Sequence, residues 1–181
     1  MQSTDTSGVF ARQFEEIGRA VEVGFAGGRV IAVSFPAETP ADAETDHALL
    51  DRIGAYLRDE PADGGSAGNS VGGTDTAGGG AEPTTRGAAP FSDVQIGLTV
   101  PTDRRRVLDA LRSVPTGESV SVSRLTRSAG YDDNDADDLD TVTRALRENP
   151  IPLLLPDHRV QGGPYATPGE VRDVLRRVEA I

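Results

Sequence analysis

Residues 59–90 constrain this chain more than any other feature. The stretch from Asp59 to Pro90 holds nine Gly and three Pro in 32 residues, with Val71 its one large aliphatic side chain. Such a segment cannot bury enough apolar surface to offset the entropy of ordering it, so it reads as a flexible linker. The remaining 149 of the 181 residues must therefore build their cores in two pieces, 1–58 and 91–181. Each is small enough that the first is expected to pack on the second.

Composition narrows the chemistry. There is no Cys, so disulfides, thiolate metal sites and thiol nucleophiles are excluded. All 18 basic residues are Arg, against 29 Asp and Glu, for a net charge of -11. Residues 1–90 carry 6 Arg against 14 acidic residues, and residues 91–181 carry 12 against 15. Acidity spread along a lysine-free chain resembles proteins adapted to high internal salt. The competing reading is a partner preference, against nucleic acid or for basic proteins. No apolar run approaches the roughly 18 residues of a membrane span, and Met1 to Asp5 lacks the basic-then-apolar pattern of a signal peptide. A cytoplasmic protein without membrane contact is expected.

The fold class expected is α+β. In the first piece, Val21, Val23 and Phe25 alternate, as do Val30, Ala32 and Ser34, with Gly27-Gly28 between them. That pattern predicts a hairpin. Leu49, Leu50, Ile53 and Leu57 then predict a helix over 47–58. In the second piece, Thr102 is read as the cap of a helix running to about Ser113. Ser121 or Ser123 caps a short helix stopping at Gly130, and Leu139, Val142, Ala145 and Leu146 mark a third that ends near Asn149-Pro150. Val160 to Tyr165, with Gly162-Gly163-Pro164, reads as a hairpin. Thr167-Pro168-Gly169-Glu170 reads as cap and start of a last helix whose buried face is Val171, Val174, Leu175 and Val178. Three helices, a hairpin and a final helix make a winged helix-turn-helix.

Asn149-Pro150, a short apolar stretch, then Pro156-Asp157-His158-Arg159-Val160 closely resembles the active-site segment of the methylguanine-DNA alkyltransferases, the methylated-DNA-protein-cysteine methyltransferase family. That family reads Asn-Pro, then Pro-Cys-His-Arg-Val. Pro115-Thr116-Gly117-Glu118-Ser119-Val120-Ser121 is similar to its Pro-x-Gly-Glu-x-x-Ser element, and Tyr165 with Glu179 matches its wing Tyr and final-helix Glu. The resemblance covers 91–181 well and 1–58 in outline. It implies DNA repair chemistry in which an alkylated guanine is flipped from the duplex and its alkyl group passes to the Cys. It implies Asn149 as hinge, His158 as the activating base, Glu179 as its orienting acid, Arg159 as a structural Arg and Tyr165 as a pocket residue.

Three departures bear on that implication. The acceptor position is Asp157, and a carboxylate is a weak nucleophile toward saturated carbon. The position of the family's inserted Arg is Asp140, and its Ser-Tyr is Ser121-Val122. Residues 131–140 hold six Asp and no base, where phosphate contacts would supply most non-specific affinity.

The marked residues each carry a second reading. His158 and Glu179 are either a relic relay or a structural pair. Asp157, His158 and Glu179 are too few for a confident metal site, and no metal or cofactor is expected. Arg104-Arg105-Arg106 is a phosphate contact or a solvated helix face; the Asp run lacks the Gly and terminal Glu of a calcium loop. The reading that follows is an alkyltransferase-like, non-catalytic pseudoenzyme and expected monomer. It binds DNA and senses alkylated guanine through Asn149, Pro150, Arg159 and Tyr165, with other repair proteins as further partners. The alternative is a degenerate winged-helix module for protein interaction or regulation.

Overall fold

The computed structural model describes residues 6–58 and 90–181; the linker expected over 59–90 lies outside the described residues but for Pro90. The N-terminal part is a three-stranded antiparallel sheet in the order β1 (Gly8–Phe14), β2 (Arg19–Ala26), β3 (Arg29–Ser34), followed by helix α1 (Ala48–Leu57). Gly27 and Gly28 turn the β2–β3 hairpin at φ 57° and 71°, the left-handed pair that a two-residue turn of matching twist requires.

The alternation expected for β3 is corrected. Phe25 pairs with Val30 but Gly24 pairs with Ala32, so Ile31 is an extra residue in a bulge. The bulge shifts the inward phase by one position. Val30 and Val33 are buried while Ala32 and Ser34 face out. Strand β1 was not anticipated, yet Phe10 and Phe14 in it join Val21, Val23 and Phe25 in the core. Helix α1 lays Leu49, Leu50, Ile53 and Leu57 on the sheet. Truncating the fully buried Leu50 to Ala would cost about 2–5 kcal/mol. His47 caps α1, its Nδ1 accepting from the Leu49 amide at 3.0 Å, with Phe10 and Phe25 against its ring.

The C-terminal part runs α2 (Thr102–Arg112), β4 (Val120–Ser121), α3 (Val122–Ser128), α4 (Ala136–Arg147), β5 (Val160–Gln161) and α5 (Gly169–Glu179). Helices α2, α3 and α4 pack together through Val107, Leu108, Leu111, Leu125, Val142 and Leu146, the three-helix core of a winged helix-turn-helix. Ser121 caps α3, as expected, accepting from the Arg124 amide at 3.2 Å. Two expected caps are corrected. Thr102 is the first residue of α2, behind Pro101, and makes no side-chain cap. Thr167 does not cap α5, because its hydroxyl is drawn to Asp157 instead. The hairpin expected over Val160–Tyr165 is also corrected. β5 pairs parallel with β4, Val120 to Val160 and Ser121 to Gln161, and the chain after Gly162 (φ 74°) turns away toward α5. On α5 the fully covered residues are Val171, Leu175 and Glu179, with Val174 and Val178 half-buried.

The two parts are in direct contact. The β3 edge is closed by residues 95–97, the Val30 amide donating to Gln95 and the Gly97 amide to Val30. Further along the same edge, the Val33 amide donates to the Pro150 carbonyl at 2.9 Å. No helix among the described residues is long and apolar enough to cross a membrane.

Candidate functional site

The run from Ile151 to Val160 is buried at every residue. It contains three ionisable side chains, and each of them needs partners to be tolerated there. Asn149 sets the entry. Its Nδ2 donates to the Leu155 carbonyl at 2.9 Å and its Oδ1 accepts from the Ile151 amide at 3.1 Å, so one amide closes the loop 149–155 on itself. Leu153 sits in this loop at φ 81°, a conformation that side chains other than Gly rarely adopt. Pro150 is held from the N-terminal sheet by Val33. The corner at Asn149-Pro150, expected as a hinge, is held by these three hydrogen bonds.

A single 3-10 turn, Asp157–Arg159, follows. Asp157 is wholly buried. Its Oδ2 accepts from the Ala166 amide at 2.7 Å and the Thr167 amide at 2.9 Å, and its Oδ1 accepts from the Thr167 hydroxyl. Both oxygens are therefore engaged by the segment just ahead of α5. Arg159 points the other way. Its Nε and Nη2 form a two-pronged bond to Glu179 at 2.7 and 2.6 Å, Nη1 donates to the Val114 carbonyl, and Nη2 reaches the Thr116 hydroxyl. This planar fork matches the carboxylate geometry and satisfies a buried charge.

Glu179 takes one more bond, and it comes from the other part of the protein. The Tyr56 hydroxyl on α1 donates to Oε1 at 2.5 Å. Burial by itself would raise the Glu179 pKa, but the bonds from Arg159, then the adjacent His158, outweigh it and hold the carboxyl at about 2. Burial, then the Glu179 charge, pushes the Tyr56 hydroxyl above its ordinary value, so it remains a donor.

His158 is left over. Its Nε2 is 3.2 Å from Glu179 Oε1, but off the line a ring N–H would take, and neither ring nitrogen completes a hydrogen bond. Arg176 grips the main chain here, donating to the His158 and Val160 carbonyls. A shared metal site is not assembled, since Asp157 faces Ala166 and Thr167 while Glu179 faces Arg159.

Tyr165 is half-buried. Its hydroxyl donates to the Val160 carbonyl at 2.9 Å, and the Arg172 guanidinium lies 4.4 Å from its ring centre. Val122, in the place of the resembling family's Tyr, opens α3 and is half-buried near Gly163. Asp140 is exposed and paired along α4 with Arg144 at 3.1 Å. Much of the Asp run builds its own loop. Asp135 caps α4 by accepting from the Asp137 and Asp138 amides, Asp132 accepts from Asn134, and Asp138 accepts from the Asp132 amide. In the Arg104-Arg105-Arg106 run, Arg104 pairs with Glu148 and Arg105 donates to the Leu98 carbonyl.

The participants that escaped the sequence reading are Tyr56, Arg176, the Ala166 amide, Thr167 in its role toward Asp157, and the Val33 amide. Tyr56 lies 123 residues from Glu179, and no local pattern marks such a pair.

The winged helix-turn-helix thus carries Asn149, the 157–159 turn and Glu179 in one buried frame. Residues 102–177 match the sequence profile of the 6-O-methylguanine DNA methyltransferase DNA-binding domain. The fold of the whole is similar to Mycobacterium tuberculosis OGT crystallised in complex with DNA, at 18% identity and TM-score 0.59, over 95% of this chain and 90% of that one. It is also similar to a point variant of M. tuberculosis O6-methylguanine methyltransferase (18%, TM-score 0.61, 94% and 91%). The archaeal O6-methylguanine-DNA methyltransferase of Pyrococcus kodakaraensis is a further likeness (20%, TM-score 0.53, 96% and 100%). No curated protein sequence matches the chain.

Proposed function

We propose that this is a non-catalytic alkyltransferase-like protein of a high-salt cytoplasm, which binds duplex DNA through residues 91–181 and senses alkylated guanine without repairing it. The observation that carries the loss of catalysis is Asp157. A carboxylate whose two oxygens accept three hydrogen bonds has its lone pairs engaged and its charge stabilised, which lowers an already weak nucleophilicity toward an alkyl carbon. His158 also lacks the completed bond to Glu179 that would orient it as a base.

DNA binding is supported by the profile match to a DNA-binding domain, by the DNA complex of a protein with the same fold, and by exposed Arg124 and Arg127 on α3 with Arg144 and Arg147 on α4. Sensing is supported by the kept frame of Asn149, Pro150, Arg159 and Glu179. In this reading Tyr165, at the wing, is the side chain that meets the flipped base. The test is incubation with excess duplex containing O6-methylguanine in molar potassium chloride, followed by anisotropy and intact-mass spectrometry. A bound complex with unchanged protein mass is expected. A gain of one methyl per chain would sink the non-catalytic reading, and absence of binding would sink the DNA reading.

One observation favours a second reading. The N-terminal half of α4 and its approach expose Asp135, Asp137 and Asp140, which repel phosphate and suit a protein-interaction or regulatory module that has given up DNA. Failure to bind any duplex would put that reading first.

A further inference from the structure

Position 157 is wholly buried, and the groups that touch its carboxylate belong to one short segment. Ala166 and Thr167 supply two amides and a hydroxyl, nine and ten residues along the chain. The intervening wing is short, and it is tied down at a second point by Tyr165 to the Val160 carbonyl. Three bonds at Asp157 against the one from Tyr165 to Val160 make the Asp157 cluster the larger of the two ties. Around it, Asn149 holds Leu155 just ahead of the turn, and Arg159 and Arg176 fix the 158–160 segment from the other sides. All three bonds on the carboxylate come from the far end of the wing, so freeing it means parting it from Ala166 and Thr167.

We propose that Asp157 is an internal clasp. Its carboxylate holds the wing shut over the former acceptor position, and an extrahelical base gains that position only by breaking the bonds to Ala166 and Thr167. The clasp rests on the proposed DNA-binding function and adds its regulation: duplex binding and base capture are separate steps, and the second is opposed by this contact. Replacing the acceptor residue then did more than abolish transfer. It changed a reacting position into a latch.

Because the chain contains no Cys, Asp157→Cys places a single reporter thiol at the latch while removing the carboxylate. The clasp requires that this thiol react with a neutral maleimide under native conditions. It also requires that the Ala166 and Thr167 amides exchange faster than in the parent. A thiol protected until global unfolding would show that packing shuts the wing without Asp157, and would overturn the proposal.

A second variant, Thr167→Val, keeps the charge and removes one bond, so it guards against misfolding of the first. Because a Cys at 157 restores the resembling family's acceptor, Asp157→Ala and Thr167→Val are the variants compared with the parent on duplexes with and without O6-methylguanine. If the wing is shut nine-tenths of the time, release raises affinity for the lesion duplex about tenfold, since apparent affinity scales with the open fraction. Plain-duplex affinity stays within about twofold by the same relation, and Thr167→Val lies between. Unchanged lesion preference with intact duplex binding overturns the clasp alone. Failure of parent and variants to bind any duplex overturns the DNA-binding reading and the clasp with it.

Discussion

The frame around Asp157–Arg159 and the outer face of α4 have met substitution in opposite ways. Inside, Asp157 stands where the resembling family has Cys, and the structure supplies a donor for each of its oxygens. Outside, Asp140 stands where that family has Arg, and its side chain pairs with Arg144 on its own helix, with about two-thirds of it in water. The difference follows from solvent. A buried polar group left unpaired costs about 1–3 kcal/mol, so an interior position accepts a new charge only with its partners. An exposed charge has water for a partner, so a surface can be recharged step by step. Stability is therefore expected to reside in the frame, and the balance between attraction and repulsion toward DNA on the α4 face.

The largest effect should come from breaking the frame. Arg159→Ala strands Glu179 without its two-pronged partner and frees the Val114 carbonyl, and is expected to destabilise by about 3–5 kcal/mol in chemical denaturation. The matched surface change, Arg144→Ala, should cost under about 1 kcal/mol. Equal costs would break the comparison.

Acid should act on the frame next. Glu179 has its pKa lowered from 4.5 to about 2, so the unfolded chain binds the proton more readily than the folded one. The stability this carboxylate contributes is present above pH 4.5 and is lost as pH falls toward 2. His47, whose pKa burial lowers from 6.5 in spite of Asp51 and Asp46, gives a loss of the same sign beginning below pH 6.5. Stability measured between pH 7 and pH 3 should fall in those two stages. His47→Gln should remove the first stage, and Glu179→Gln should flatten the second while lowering stability throughout.

The smallest effect, on binding rather than folding, belongs to the α4 face. Asp140→Arg replaces a repulsive group by an attractive one and should raise duplex affinity by about tenfold at low salt and less in molar salt, while melting shifts little. If affinity is unmoved, α4 does not face the duplex, and the interaction-module reading gains.

Local order was written in the sequence wherever period and punctuation decide it. The apolar stripe of α1, the Ser121 cap, the end of α4 before Pro150 and the Gly27-Gly28 turn were all legible, because each depends on residues within one or two turns of one another. The string Asn149 to Val160 was legible as a family resemblance, and with it the fold of 91–181. The exceptions share one cause. Ile31 bulges because β3 must pair with β2 on one side while residues 95–97 and Pro150 close its other edge. Thr167 abandons its cap because a buried carboxylate competes for its hydroxyl. Glu179 gains Tyr56 as a partner because the N-terminal part brings a phenol to its oxygen. A residue's choice among hydrogen-bond partners depends on which of them the tertiary fold carries within 3 Å, and that distance is not encoded in spacing along the chain.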